Sequence, residues 1–298
     1  MCENAVNARV PVAVPGARGS SPLLKKVAGA VAATAALGAA TAAYGHFIEL
    51  NNFQLRTESL PVLPPGSPDF RILHISDMHM IPGQQKKIDF MHSLAALEPD
   101  LVMNTGDNLS HVDGMGPLLE ALDPLMDFPG VFVPGSNCYF APVFKNPARY
   151  LWQPRTPQMI EEGSRVALPI ERMHEAFESR GWTGLVNRYD TLNLKGLRLE
   201  FSGVDDPHLR YDEHPGFAPG AFDESAEPSV RIGVAHAPYM RTLHRFVQDG
   251  AQAIFAGHTH GGQVCLPGGH ALVSNCDLPP SRAKGVSEQS GIPVQVSA

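Results

Sequence analysis

Short apolar runs recur along this chain, and each one stops at a cluster of polar residues. Residues 70–75, 101–104, 131–133, 230–235 and 251–256 carry the large aliphatic and β-branched side chains of buried strands. Between the first three runs the spacing changes to that of helices. Over 86–97, Ile88, Met91, Leu94 and Ala95 fall on one face, and a second helix is predicted at 115–126. This strand–helix–strand rhythm predicts an α/β fold with a parallel sheet that presents its chemistry at the carboxyl ends of the strands. Further along, the pattern predicts a helix at 170–180 and a hairpin-like pair at 189–194 and 197–203 around Lys195-Gly196. Short strands at 263–266 and 271–274 end the readable pattern. Residues 141–169 and 204–229 show no period; the first is long and Pro-rich, as expected of a lid or a mobile loop.

The N-terminus follows another pattern. Residues 27–48 contain no Asp, Glu, Lys or Arg, a stretch long enough to cross a bilayer as a helix. Arg9, Arg18, Lys25 and Lys26 precede it against a single Glu3, so residues 1–26 are expected to stay in the cytoplasm and the remainder to be exported. A cleaved signal peptide is the competing reading, because Ala-Thr-Ala-Ala-Tyr-Gly at its end offers small residues for processing. No adjacent Arg pair supports a twin-arginine signal. Residues 49–69 are rich in proline and read as a linker to a domain spanning 70–298.

Composition narrows the classes. A net charge of -7 argues against nucleic-acid binding by phosphate neutralisation. Cys2, Cys138, Cys265 and Cys276 form no CxxC pair, so a Cys-rich zinc site is excluded. A Cys265–Cys276 disulfide is compatible with the spacing, but reduced thiols near a core are the expectation.

The polar residues after the strands form one set. Asp77 and His79 follow the first run; Gly106, Asp107 and Asn108 follow the second; Gly135, Ser136 and Asn137 follow the third. His236 follows the fourth, and Gly257-His258-Thr259-His260 the fifth. Taken singly, each is an ordinary cap, turn or core histidine. Together, strands lying side by side would converge two carboxylates, one amide and four imidazoles on one edge. That donor set suits Mn, Fe, Zn or Co, and seven ligands are enough for two divalent ions sharing a carboxylate. Such a pair can hold a phosphoryl group and make hydroxide from a bridging water. Glycines beside the ligands, Gly261 and Gly262 included, allow tight turns and close backbone approach.

The blocks SDMH, TGDN, PGSN, AHAP and GHTHGGQ, in this order, resemble those of the calcineurin-like metallophosphoesterases, and the membrane-anchored bacterial branch in particular. The likeness covers roughly residues 70–275. It implies a four-layer α/β/β/α sandwich with two facing sheets and a dinuclear hydrolase acting on phosphate esters, phosphodiesters foremost. By the same likeness Asp77, His79 and His260 would bind one metal, Asn137, His236 and His258 the other, and Asp107 would bridge them. A hydroxide between the metals would attack phosphorus. The N-terminal tether, in turn, points to lipid head groups or envelope polymers as substrates, met by a single-pass protein whose catalytic domain lies outside the cytoplasm, or by a secreted one.

Two departures from the family pattern are visible. Gly-Ser-Asn-Cys replaces Gly-Asn-His-Asp/Glu, so Cys138 stands where a catalytic acid–base group is expected. A thiol there is a poor donor and, beside cations, a candidate metal ligand, so slow turnover is expected. The tail after residue 280 reads as cut short, with closing strands missing and a sheet edge exposed. Both departures favour the alternative of a metal-binding or sensing protein with little catalysis. Asp205, Asp206 and His208 follow another strand as weaker substrate-contact candidates, as does His111. Arg149, Tyr150 and Trp152 are expected to pack.

Overall fold

The computed structural model describes residues 22–48, 51–143, 165–218, 229–262, 264–266 and 270–297. The chain divides into two compact units, Met1–Gln54 and Leu55–Ala298. In the first unit, helix α1 (Pro22–Phe47) has apolar residues on every side. Lys25–Gly45 has a mean hydropathy of 1.5, so it is long and apolar enough to cross a membrane or to act as a signal sequence. The hydroxyls of Thr34 and Thr41 donate back to the Ala30 and Leu37 carbonyls, which satisfies them within the helix.

The second unit holds two facing sheets. Strands β1 (Ile72–Ile75), β2 (Leu101–Asn104), β3 (Gly130–Phe132) and β4 (Trp182–Gly184) lie in that order, all parallel. Strands β5 (Arg188–Leu194), β6 (Leu197–Gly203), β7 (Ser229–Val234) and β8 (Ala253–Ala256) belong to the second sheet. After a hairpin of β9 (Val264–Leu266) and β10 (His270–Val273), strands β11 (Gly285–Gln289) and β12 (Ile292–Val296) join it. The six-stranded order is β11-β12-β8-β7-β6-β5, parallel from β12 to β6 and antiparallel at both ends.

Alternation along the strands builds the layers. Leu101, Met103, Val131 and Val133 face Leu199, Phe201, Ile232, Val234 and Phe255 between the sheets. The opposite side of the first sheet, including Leu73, Ile75, Val102 and Phe132, packs on helices α2 (Gln85–Ser93), α3 (Met115–Leu122) and α5 (Ile170–Ser179), with the single turn α4 (Ser136–Tyr139) at its edge. Ile254, Val294 and Val296 on the far side of the second sheet meet Leu243 and Phe246 of α6 (Met240–Gln248). The fold is the four-layer α/β/β/α sandwich that the resemblance implies.

The differences from the sequence reading have local causes. The helix expected over 86–97 gives way to a 3₁₀ turn at Leu94–Leu97 and stops at left-handed Glu98. The one expected over 115–126 ends at Leu122 because Pro124 has no N–H to continue it. Leu60, Val62 and Leu63 of the Pro-rich stretch pack against the inter-sheet core, so that part is not a spacer. The tail holds two strands that the apolar pattern did not show. Residues 285–296 are β11 and β12, joined by a turn with Ser290 and Gly291 both at positive φ, and β12 lies inside the sheet between β11 and β8. Cys265 and Cys276 remain thiols. Residues 144–164, with Arg149, Tyr150 and Trp152, lie outside the described residues; their flanks meet where Phe140 pairs antiparallel with Ala167.

Candidate metal centre

The carboxyl ends of β1, β2, β3, β7 and β8 converge, as the polar strand ends require. Asp77, His79 and His260 form one group, and Asp107, His236 and His258 another; within each, the potential ligand atoms lie within 4.8 Å of one another. Asp107 stands between the groups, its Oδ2 3.3 Å from His236 Nε2 and 3.8 Å from His79 Nε2. Asn137 joins through its backbone, whose N–H donates to Asp107 Oδ1 at 2.7 Å. All seven residues named from the sequence are therefore brought to one place.

The backbone there is held in an uncommon conformation. Eleven described non-glycine residues have positive φ, and five of them are Asp77, His79, Asp107, His258 and His260. Each such residue costs about 1–3 kcal/mol, strain that persists where surrounding structure imposes it, as at functional sites. Here Asp77 N–H donates to the Gly106 carbonyl at 2.8 Å and His79 N–H to the Asp107 carbonyl at 2.9 Å, which locks the two strand-end loops together. Gly135 and Gly257 leave the necessary room. A Cβ on Gly135 would lie 2.4 Å from Asp107 Oδ1, and one on Gly257 1.9 Å from Ser76 Oγ and 2.6 Å from Asp77 Oδ2.

Hydrogen bonds to fixed acceptors orient the rings. His236 Nδ1–H donates to the Thr105 carbonyl at 2.7 Å, leaving Nε2 for Asp107. His258 Nε2–H faces the Asn275 carbonyl at 3.3 Å, leaving Nδ1 for the site, 3.3 Å from His236 Nε2. His79 Nδ1 lies 2.9 Å from Ser110 Oγ, and its Nε2 is 3.2 Å from His260 Nε2.

Electrostatics follow from burial and from Asp107. Burial disfavours a charged His236, yet Asp107 outweighs it and raises the imidazole to about 10. Burial likewise opposes the Asp107 carboxylate, which His236 and its neighbours hold far below the usual carboxylate range. Burial, then His208 and His236, push His258 well down, and burial lowers His79. Among the candidate ligands, buried Asp77 Oδ1 has no hydrogen-bond partner among the described residues and is 3.5 Å from His260 Nε2 and 4.0 Å from His79 Nε2. A buried carboxylate oxygen without a hydrogen bond, facing two imidazoles, fits a cation ligand.

A cavity of about 350 Å³ opens over this set. Its lining includes His79, Asp107, Asn137, His258 and His260, and also Phe140, Arg165, His208 and Asn275. His208 thus joins the site, whereas His111 stays on the surface beside Asp113. Asp205 and Asp206 support the loop instead of lining the cavity. Asp205 accepts from Tyr139 Oη at 2.7 Å, and Asp206 accepts from the backbone N–H of His208 and of Leu209. Arg165 and Asn275 were missed; Asn275, a polar residue just after β10, obeys the strand-end rule used for the others.

Cys138 needs correction. Its side chain is wholly buried with the core of α2, α3 and α5, and is not among the residues lining the cavity. Its sulfur accepts weakly from Asn108 N–H at 3.5 Å, and burial, with Asp107 adding to it, pushes the thiol up to about 12. A thiol packed in that core does not line the cavity in which a metal ligand or an acid would act.

The chain is 27% identical to the uncharacterized protein YpbG of Bacillus subtilis over 215 residues, 70% of this chain and 69% of that one. Among solved structures it is similar to TT1561 of Thermus thermophilus, with 13% identity, a TM-score of 0.37, and coverage of 76% of this chain and 89% of that one. It is also similar to GAP50, the anchor in the inner membrane complex of Plasmodium, with 11% identity, a TM-score of 0.36, and coverage of 76% and 70%. The profile of the calcineurin-like phosphoesterases matches residues 70–262, well over half of the sequence, and the chain belongs to that family.

Proposed function

We propose that this protein hydrolyses phosphate esters, phosphodiesters in particular, with two divalent ions at the converging strand ends. Asp77, His79 and His260 would hold one, Asn137, His236 and His258 the other, with Asp107 shared. The observation that carries this reading is Asp107 Oδ2, placed between imidazoles of both groups. The unpartnered Asp77 Oδ1 and the facing ring nitrogens support cation binding. Nitrogen and oxygen donors without a thiolate favour Mn, Fe, Zn or Co. When bound, two such ions supply Lewis acidity to phosphoryl oxygens and a nucleophilic water at neutral pH.

The chain's own groups do the rest. The Thr105 carbonyl fixes the His236 tautomer, the Asn137 N–H holds Asp107 in place, and the locked loops set the distances. Phe140 and its neighbours Ala141, Pro142 and Val143 form an apolar wall suited to one arm of a diester. Helix α1 supports a membrane-tethered or secreted location, with lipid head groups or envelope polymers as substrates. A second reading is favoured by Cys138: with its side chain turned into the core, position 138 offers the cavity no acid, which suits metal binding with little turnover.

Metal content of the purified full chain, together with turnover of bis-p-nitrophenyl phosphate in added Mn²⁺, tests both readings. Two equivalents of metal and Mn²⁺-dependent diester hydrolysis are expected. Metal without turnover selects the second reading, and no metal rejects both.

A further inference from the structure

The cavity carries polar side chains that the candidate ligands do not account for. Ser136 Oγ donates to Asn137 Oδ1, and Asn275 is engaged with the His258 ring. His208 and Arg165 line the cavity as well. Cys138 is turned into the core, so the loop after β3 gives the cavity no donor from that position.

His208 sits on a loop built to hold it. Asp206 accepts from the His208 and Leu209 N–H groups, and Tyr139 Oη donates to both oxygens of Asp205. Asn187 Oδ1 accepts from the N–H groups of Asp205 and Glu213, and its Nδ2 donates to the Tyr211 carbonyl. Arg241 donates to the Pro207 carbonyl and pairs with Asp212. A loop so tied keeps its side chain in place at little further entropic cost on binding. The His208 ring lies 4.7 Å from that of His258, and its Nδ1 is 3.0 Å from Tyr239 Oη. Nε2 is the ring nitrogen away from Tyr239. Arg165 lies over the Phe140 ring at 5.4 Å, and its buried Nε has no hydrogen-bond partner among the described residues. A guanidinium in that state is a ready fork for an anion.

We propose that His208 and Arg165 are the protein's own grip on the substrate phosphate, His208 donating to a phosphoryl oxygen beside the metal ligands and Arg165 matching the anion's charge. This rests on the phosphoesterase reading and supplies the donor that position 138 withholds. Neither residue is a metal ligand in it.

The test uses the full chain in mild detergent, loaded with Mn²⁺, as wild type and as His208→Phe, His208→Gln and Arg165→Gln. Metal content, affinity for inorganic phosphate by calorimetry, and kcat and KM on bis-p-nitrophenyl phosphate are measured for each. His208→Phe keeps a ring against His258 but has no N–H. It is expected to retain its metal, weaken phosphate about tenfold and lower kcat/KM about 10²-fold, as loss of a donor to a developing oxyanion does. His208→Gln restores a donor and part of the rate. Arg165→Gln is expected to weaken phosphate about tenfold and to act mainly on KM. Unchanged phosphate affinity and kcat/KM in His208→Phe and Arg165→Gln overturn the proposal. So does metal loss in His208→Phe that tracks its loss of rate, since His208 would then only support His258. If the wild type binds metal and phosphate without turnover, the phosphoesterase reading fails, while weaker phosphate binding by the variants still upholds the grip.

Discussion

Asp107, His236 and His258 lie inside the molecule, whereas Asp77 and His79 are half-buried and His260 is exposed. Both groups use a carboxylate and two imidazoles, yet depth gives them different physics. In the buried group, Asp107 and His236 sustain each other's charge, and His236 is held by the Thr105 carbonyl as well. Taking one member of such a pair away leaves a buried charge uncompensated. In the outer group the same chemistry is less committed: Asp77 Oδ1 has no partner among the described residues, and the His79 and His260 rings are stacked with their centroids 5.0 Å apart. The inner half is therefore held together by its own contacts, and under the proposed reading a cation would complete the outer half.

The largest effect should come from the residue the halves share. Asp107→Asn keeps the shape and an acceptor for the Asn137 N–H but removes the charge. Turnover of a diester is expected to fall about 10³-fold or more, the several kcal/mol that a metal pair contributes to charge stabilisation. Metal analysis should show both ions weakened; loss of one alone would place Asp107 in a single half.

A second test acts through Asp206, which lies near the inner half only. Burial raises its carboxyl to about 7, with His236 opposing and Asp107 assisting. The folded chain thus keeps a proton up to about pH 7 that the unfolded chain releases near 4. Between those values the folded state binds more protons at this group, so its contribution to metal-free stability falls as pH rises, by on the order of 4 kcal/mol. Burial of His79 and His258 acts in the opposite sense, so the contribution of Asp206 is read as a difference: in chelator, the change in unfolding free energy from pH 5 to pH 8 should be more favourable in Asp206→Asn than in the wild type. An unchanged slope would mean that Asp206 is ionised throughout.

Depth also orders metal release. His236 and His258 each face a backbone carbonyl, whereas His260 meets only the His79 ring and Asp77 among the described residues, and its side chain is 42% exposed. Such supporting contacts are worth about 10–100-fold in affinity, so a weak chelator should remove one ion well before the other. The His260→Ala protein should keep the slowly released ion. Simultaneous loss of both ions would erase the distinction between the halves.

Why so much of this site was legible is visible in its strands. Asp77, Asp107, Asn137, His236 and His258 each follow an apolar run whose alternation fixes both the sheet and its exit, so residue order alone delivers them together. β11 and β12 were missed because Val286, Val294 and Val296 alternate with polar residues over runs too short to stand out, with Pro293 among them. The direction of Cys138 was hidden by α4, a single turn that sends Asn137 to the cavity and its neighbour into the core. Arg165 carries no local signal, since only the Phe140–Ala167 pairing brings it to the cavity.

The finest test perturbs each half through its glycine. On Gly135 a methyl group would press on Asp107 Oδ1 and, at 2.6 Å, on the His236 ring; on Gly257 it would press on Ser76 and Asp77. Neither glycine has positive φ, so an alanine brings only the methyl group and its contacts. Overpacking of this kind costs about 1–3 kcal/mol, and Gly135→Ala and Gly257→Ala should both lower the melting temperature of the metal-free protein. Their metal content should then diverge. Gly257→Ala displaces the half that a cation completes, and is expected to keep the inner ion while losing the outer one. Gly135→Ala strikes the shared carboxylate and should weaken both. Equal metal loss in the two variants would mean that the halves act as one rigid unit and that depth makes no difference to how they hold a cation.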